Sequence, residues 1–129
     1  MAQIKIYGLR SSIEKHRSSL SDSIHKSVIE ALSYPPEKRF HRFIALERED
    51  FVFPSDRTEQ YTIIEISMFE GRSVEAKKNL VRALFENIEQ GCGIKANDIE
   101  ITIFETPKEN WGIRGMPGDE LALNYQVNV

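Results

Sequence analysis

A strand–helix–strand pattern occurs twice in this chain of 129 residues, and the second copy starts 60 residues after the first. The first copy opens on alternating residues around Ile4 and Ile6, and the second repeats them at Ile64 and Ile66. Strict alternation of apolar and polar residues is typical of a strand with one buried face. A unit that recurs at a fixed spacing indicates duplication, so both halves are expected to share one fold.

The same offset relates the apolar positions of two predicted helices. Three pairs lie 60 residues apart at helical spacing: Leu20 with Leu80, Ile24 with Leu84, and Val28 with Ile88. Ser11, three residues before Glu14, is a capping-box signal, and two prolines at 35 and 36 stop the pattern. The first helix is therefore predicted over about 12–33, and the second ends at the glycines flanking Cys92.

Each helix is followed by a second predicted strand, at 39–46 and at 98–104. The register between these two strands is not fixed to one residue by the sequence pattern. The chain is interpreted as one domain, with a first repeat at about 1–47, a linker at 48–60, a second repeat at about 61–105 and a tail at 106–129. The tail ends in an alternating, strand-like piece at 125–129.

These elements predict an α+β fold in which tandem β-α-β repeats form a four-stranded mixed sheet with two helices on one face, plus a short C-terminal hairpin or strand. The other sheet face is half polar, because four polar residues alternate with the isoleucines. They are Lys5, Glu65, Glu100 and Thr102. One helix layer cannot cover both faces, so we expect an oligomer.

Composition narrows the classes of function. The net charge is −3 with both signs interspersed, so no nucleic-acid partner is expected. Apolar stretches are too short to cross a membrane, and the first residues lack a signal-peptide pattern, which predicts a cytoplasmic protein. The three histidines show no metal-ligand spacing. Cys92 is interpreted as a small residue in a helix-ending turn rather than a catalytic thiol.

The second copy carries a more specific pattern. A strand leads into Glu70-Gly71-Arg72-Ser73, then a helix, an alternating strand and the segment from Trp111 to Gly115. This order resembles the tautomerase superfamily, typified by 4-oxalocrotonate tautomerase. The length and duplication are similar to its fused branch, which includes malonate semialdehyde decarboxylase and the macrophage migration inhibitory factor group.

The resemblance implies a homotrimer with the tautomerase fold and with sites at the subunit interfaces. It also implies cofactor-free chemistry on small 2-oxo acids or their enol carboxylates, either tautomerisation or a related decarboxylation or hydration. The family base is an N-terminal proline whose amine has a pKa lowered by its buried pocket. Arginines bind the substrate carboxylate, for which a planar bidentate donor is suited.

Family roles are carried over position by position. The arginine of Glu-Gly-Arg-Ser falls on Arg72, and the hairpin aromatic falls on Trp111. Arg114 stands where the family has a glycine, and Arg39 and Arg42 lie where some members place an arginine. The resemblance thus implies that Arg72 is catalytic and that the substrate is bound by four residues: Arg39, Arg42, Trp111 and Arg114.

The chain departs from the family at positions important for catalysis. Ala2 occupies the place of the proline, Lys38 that of a decarboxylase-branch aspartate, and Glu70 that of its second arginine. One hypothesis is an enzyme with weak or altered tautomerase activity, whose base is the terminal amine of Met1 or, after processing, of Ala2. The alternative is a non-catalytic trimeric module that binds a small anion or a partner.

Overall fold

The computed structural model describes residues 2–121. The first copy consists of β1 (Ala2–Leu9), α1 (Arg10–Leu32) and β2 (His41–Leu46). The second consists of β3 (Thr62–Phe69), α2 (Val74–Cys92) and β4 (Ile99–Thr106), and a hairpin of β5 (Gly112–Ile113) and β6 (Met116–Pro117) follows. Met1 and the predicted strand at 125–129 lie outside the described residues.

The four long strands form one mixed sheet in the order β2-β1-β3-β4. Strands β1 and β2 are parallel, β1 and β3 are antiparallel, and β3 and β4 are parallel. The two helices pack against each other and share one core with the sheet. This confirms the predicted fold class, including the short hairpin after the second repeat.

The strand pairing fixes the register that the sequence left open. Ile4 pairs with His41 in the first copy, and Ile64 pairs with Ile101 in the second. Both residues of the second pair lie 60 positions after their counterparts, so one offset relates the whole β-α-β unit. His41 therefore corresponds to Ile101, and Arg42 corresponds to Thr102.

The core contains all five apolar pairs that revealed the repeat. Each of their ten side chains is at most 2% exposed. Burial of one such side chain stabilises a fold by about 1.5–3 kcal/mol, so the repeated positions are the main determinant of the architecture. On the opposite sheet face, Lys5 lies 3.8 Å from the Glu65 carboxylate, in agreement with the predicted polar face.

The predicted start of the first helix is wrong. Helix α1 begins at Arg10, with Leu9 as its N-cap, and no side chain caps it. The reason is that β1 continues to Leu9, which is buried and extended, and the chain turns directly into the helix. In the second copy a real cap exists, because Ser73 Oγ accepts a hydrogen bond from the Ala76 amide at 3.0 Å.

The two helices end at equivalent positions. Leu32 and Cys92 are their last residues, and each is followed by one residue in the left-handed conformation. That residue is Gly93 in the second copy, with φ of 76°, and Ser33 in the first, with φ of 51°. The residue after α1 thus adopts a backbone conformation that favours glycine, although this residue is a serine.

Candidate functional site

The predicted site residues follow or precede strands at one end of the sheet. Parallel β1 and β2 both begin there, and β3 and β4, which run the opposite way, both end there. The residues concerned are Ala2, Arg39 and Arg42 at the strand starts, and Arg72, Trp111 and Arg114 beyond the strand ends. The fold therefore collects them at one end, although not in one cleft.

The nitrogen of Ala2 lies in a buried polar contact. It donates a hydrogen bond to the Tyr34 hydroxyl at 3.0 Å. Ala2 is 4% exposed and Tyr34 is 3% exposed. Tyr34 was not among the predicted site residues, because the prolines after it only indicated where the helix stops. Its hydroxyl now stands beside the nitrogen that carries the base in the family. Met1, the other predicted carrier of the amine, lies outside the described residues.

A cleft of about 290 Å³ lies next to this position, at the start of β1 and β2. Gln3, Phe40 and Arg42 line it, together with Arg39 and His41. Arg42 Nη2 donates to Gln3 Oε1 at 3.4 Å, and the Phe40 ring is 45% exposed. A small acid that entered this cleft would meet a guanidinium and an aromatic surface beside the Ala2 strand.

The pKa of Tyr7 indicates that Arg42 lies on the sheet face that carries no helices. The hydrogen bond from Tyr7 to Glu65 is the main cause that raises the pKa of Tyr7, and burial raises it further. The positive charge of Arg42 acts in the opposite direction. Arg42 therefore lies within electrostatic range of Tyr7, on the face without helices.

Arg39 is directed to the other face. Its Nη1 lies 2.7 Å from Asp22 Oδ1 on α1 and 3.4 Å from Ser21 Oγ. Arg39 and Arg42 thus serve opposite sides of β2. Of the two, Arg42 is the one whose side chain is directed toward Gln3 and the start of β1.

Arg72 is a buried residue that caps a helix. It is 7% exposed, and its Nη1 donates to the Leu32 carbonyl at 3.0 Å. Leu32 ends α1, where backbone carbonyls carry partial negative charge that a cation stabilises. Since Tyr34 follows two residues later, Arg72 anchors the segment that brings Tyr34 to Ala2.

Trp111 packs on the end of β3 rather than in the cleft beside Ala2. Its Nε1 donates to Thr106 Oγ1 at 2.6 Å, and its ring meets Phe69 edge-on with centroids 5.2 Å apart. Arg114 lies in the turn between β5 and β6, with φ of 53°, and its side chain is exposed. Arg114 and Gly115 form the two-residue turn of this hairpin, both with positive φ.

Three further observations concern metal-ligating side chains, the cysteine and membrane spans. Residues 2–121 contain no group of three metal-ligating side chains. The Cys92 thiol lies 3.5 Å from Ser19 Oγ between the two helices. Neither α1 nor α2 has the length and apolar character that crossing a bilayer requires.

The architecture defines the class of protein: a duplicated β-α-β unit of the tautomerase fold, with a polar cleft beside the start of the first strand. Among solved structures, malonate semialdehyde decarboxylase matches with a TM-score of 0.79 and 19% identity over 88% of this chain and 92% of that one. A fused 4-OT that forms an asymmetric trimer matches with a TM-score of 0.78 and 17% identity over 91% and 96%. These identities establish the fold alone.

Sequence comparison establishes the family. The model of the family described as "tautomerase enzyme" matches residues 38–114, more than half of the chain, and the protein belongs to this family. The probable tautomerase YusQ of Bacillus subtilis (strain 168) is 27% identical over 71% of this chain and 76% of its own. The 2-hydroxymuconate tautomerase of Comamonas testosteroni is 37% identical over 58 residues, which are 45% of this chain and 92% of that one. That match has the length of one repeat.

Proposed function

We propose that this protein interconverts the keto and enol forms of small 2-oxo acids, in the cleft at the start of β1. The observation that carries the proposal is the hydrogen bond between the Ala2 nitrogen and Tyr34, next to a cleft lined by Gln3 and Arg42. The similar Comamonas protein is a tautomerase of 2-hydroxymuconate, an enol carboxylate, which supports this substrate class.

The base of the proposed reaction is the amine of Ala2 after removal of Met1. An unperturbed terminal amine has a pKa of roughly 7.7–8.0. Burial of Ala2 disfavours the ammonium, so we expect the neutral amine to be available at neutral pH. It removes the proton from the enol oxygen or from the carbon next to the carbonyl, and returns it at the other atom.

Arg42 is proposed to bind the substrate carboxylate in a bidentate contact. Tyr34 holds the amine through its hydroxyl, and Arg72 holds Tyr34 in place through the end of α1. Trp111, Arg114 and Arg39 are assigned to the walls of the assembled site. Because a primary amine replaces the family proline, we expect weak or altered tautomerase activity. A related decarboxylation or hydration would take place at the same site.

The assembled site is proposed to form in a homotrimer. The polar face of the sheet carries Tyr7, Lys5 and Glu65 in contact with one another, and no helix covers it within residues 2–121. The similar fused 4-OT is described as a trimer. Three copies of a 14.9 kDa chain have a mass of about 45 kDa, which light scattering measures directly. A monomer in solution would contradict interface sites.

The decisive experiment is ketonisation of 2-hydroxymuconate, followed by ultraviolet absorbance, with the N-terminus of each preparation determined by mass. We expect weak turnover by the protein with free Ala2 and faster turnover by Ala2→Pro. Arg42→Gln should raise KM about tenfold or more, because a charged hydrogen bond contributes roughly 1.5–3 kcal/mol.

Two controls complete the test. Arg82→Gln changes an exposed arginine on α2 and should leave the rate unchanged. Arg39→Gln changes the arginine that precedes β2 and should have a smaller effect than Arg42→Gln. If neither the natural sequence nor Ala2→Pro shows turnover, the enzyme hypothesis fails. The alternative of a non-catalytic anion-binding module then remains, and Ala2 in place of proline is the observation that favours it.

A further inference from the structure

A second cavity, of about 570 Å³, lies on the other side of β2, against α1. It is about twice the size of the cleft beside Ala2, and it falls within the usual range for small-molecule sites. Arg39 and His41 line it from the start of β2, and Ser21 and Asp22 line it from α1. Arg39 and His41 also line the cleft beside Ala2, where the tautomerase activity is proposed, whereas Ser21 and Asp22 line only this second cavity.

Four polar side chains converge in the cavity. Ser21 Oγ lies 2.7 Å from His41 Nδ1. The Arg39 guanidinium lies 3.4 Å from the same oxygen, and Asp22 holds it at 2.7 Å. One of the Arg39 nitrogens is thus bound to the protein, whereas the rest of its fork bonds to no described residue.

His41 enters this cluster as a neutral ring. Burial is the largest cause that lowers the pKa of His41; with the neighbouring His25 and Arg39, and against the opposing effect of Asp22, it brings this pKa to about 4. A neutral imidazole presents one donor and one acceptor, and Ser21 uses only the Nδ1 side.

The second copy provides an internal control for this cluster. An equivalent cavity lies between α2 and β4, and its lining residues stand 60 positions after residues that line the first. Ser21 corresponds there to Val81, and the strand pairing places Ile101 at the position of His41. The fold therefore accepts aliphatic residues at these places, and the polar cluster of the first copy is not needed for folding.

The charges around the cavity favour an anion. Lys15 and Arg17 line it and make no ion pair within residues 2–121. With Arg39 they give three cations, against the two carboxylates of Glu14 and Asp22. Asp22 is already paired with Arg39, so an incoming carboxylate meets an excess of positive charge.

We propose that this cavity binds a small hydroxycarboxylate. The carboxylate contacts the free side of the Arg39 fork and Arg17, and the hydroxyl bonds to Ser21 Oγ, which His41 Nδ1 holds in position. No bond is made or broken in this site.

The test compares two ligands that differ by one hydroxyl. Malate and succinate are titrated into the full-length protein, and heat of binding or amide chemical shifts give the affinity. Malate should bind about tenfold more tightly than succinate, which corresponds to one or two net hydrogen bonds. Equal affinities, or no binding of either at about 10 mM, would overturn the proposal.

The variants use the residues of the second copy. Ser21→Val and His41→Ile should each reduce the affinity for malate to that for succinate, while the fold, followed by circular dichroism, stays intact. Arg39→Gln should lower the affinity for both ligands. Arg82→Gln, in the equivalent cavity beside α2, should change neither affinity. If the Ser21→Val variant still bound malate more tightly than succinate, the proposed hydroxycarboxylate site would be refuted. This outcome is independent of the tautomerase assay, because binding and turnover are measured separately.

Discussion

The residue after α1 offers the sharpest test of how far the two copies are equivalent. Ser33 has φ of 51° and ψ of 43°, whereas its counterpart Gly93 has φ of 76° and ψ of 8°. A side chain in the left-handed conformation costs roughly 1–2 kcal/mol, because Cβ approaches the backbone. Glycine avoids that cost but loses about 0.5–1 kcal/mol more chain entropy on folding. Ser33→Gly should therefore stabilise the protein by about 0.5–1 kcal/mol.

Gly93→Ser is the reciprocal change. A Cβ built at Gly93 meets no atom within 4 Å, so the substitution tests the backbone conformation without a steric clash. It should destabilise by about 1 kcal/mol. The double variant should lie close to the natural protein. Since β1 and β3 are antiparallel, α1 and α2 end at opposite ends of the sheet, and the effects of distant sites should add.

Urea denaturation at one protein concentration measures these changes, since assembly would make stability concentration-dependent. A gain of about 1 kcal/mol should also raise Tm by roughly 3–5 °C for a chain of this length. If Ser33→Gly is neutral or destabilising while Gly93→Ser destabilises, Ser33 has a favourable role that its exposed position does not reveal. The argument from backbone conformation would then be refuted.

Three further predictions concern the site and its supports. Arg72→Met should lower stability by about 2 kcal/mol, because it removes a charged hydrogen bond to the buried end of α1; an effect no larger than that of exposed Arg82→Met contradicts this. The pKa of His41 is about 4 in the folded protein and near 6.5 in the unfolded chain, so stability falls as the pH falls from 6.5 through 4. His41→Ile should therefore reduce the decrease in the urea midpoint between pH 7 and pH 4.5. An unchanged decrease in this variant would contradict the prediction. A Cβ at Gly118 would lie 2.5 Å from the Lys108 carbonyl, so Gly118→Ala should shift the fluorescence of Trp111, the single tryptophan, whereas Gly112→Ala, with open space, should not.

Most of the fold was predictable because its signals are local and repeated. Alternation around Ile4 and the helical spacing of Leu20 each appear twice at one offset, so each copy supports the interpretation of the other. The failure at the start of α1 has a specific cause. Ser11 has the composition of a cap, but β1 continues through Leu9 and leaves no turn for a cap to form.

The sequence by itself determined the duplication, the sheet with two helices on one face and the family. The first two follow from periodicity, which each short segment carries on its own. The family follows from the resemblance of the turn at 70–73 and the segment at 111–115. The tertiary structure decided that Arg42 and Arg39 serve opposite faces of β2, that Arg72 anchors α1, and that Tyr34 meets the Ala2 nitrogen. The last two contacts join residues 40 and 32 positions apart, so they exist only once the strands and helices are packed. No local pattern encodes them, because each depends on how distant segments pack against one another.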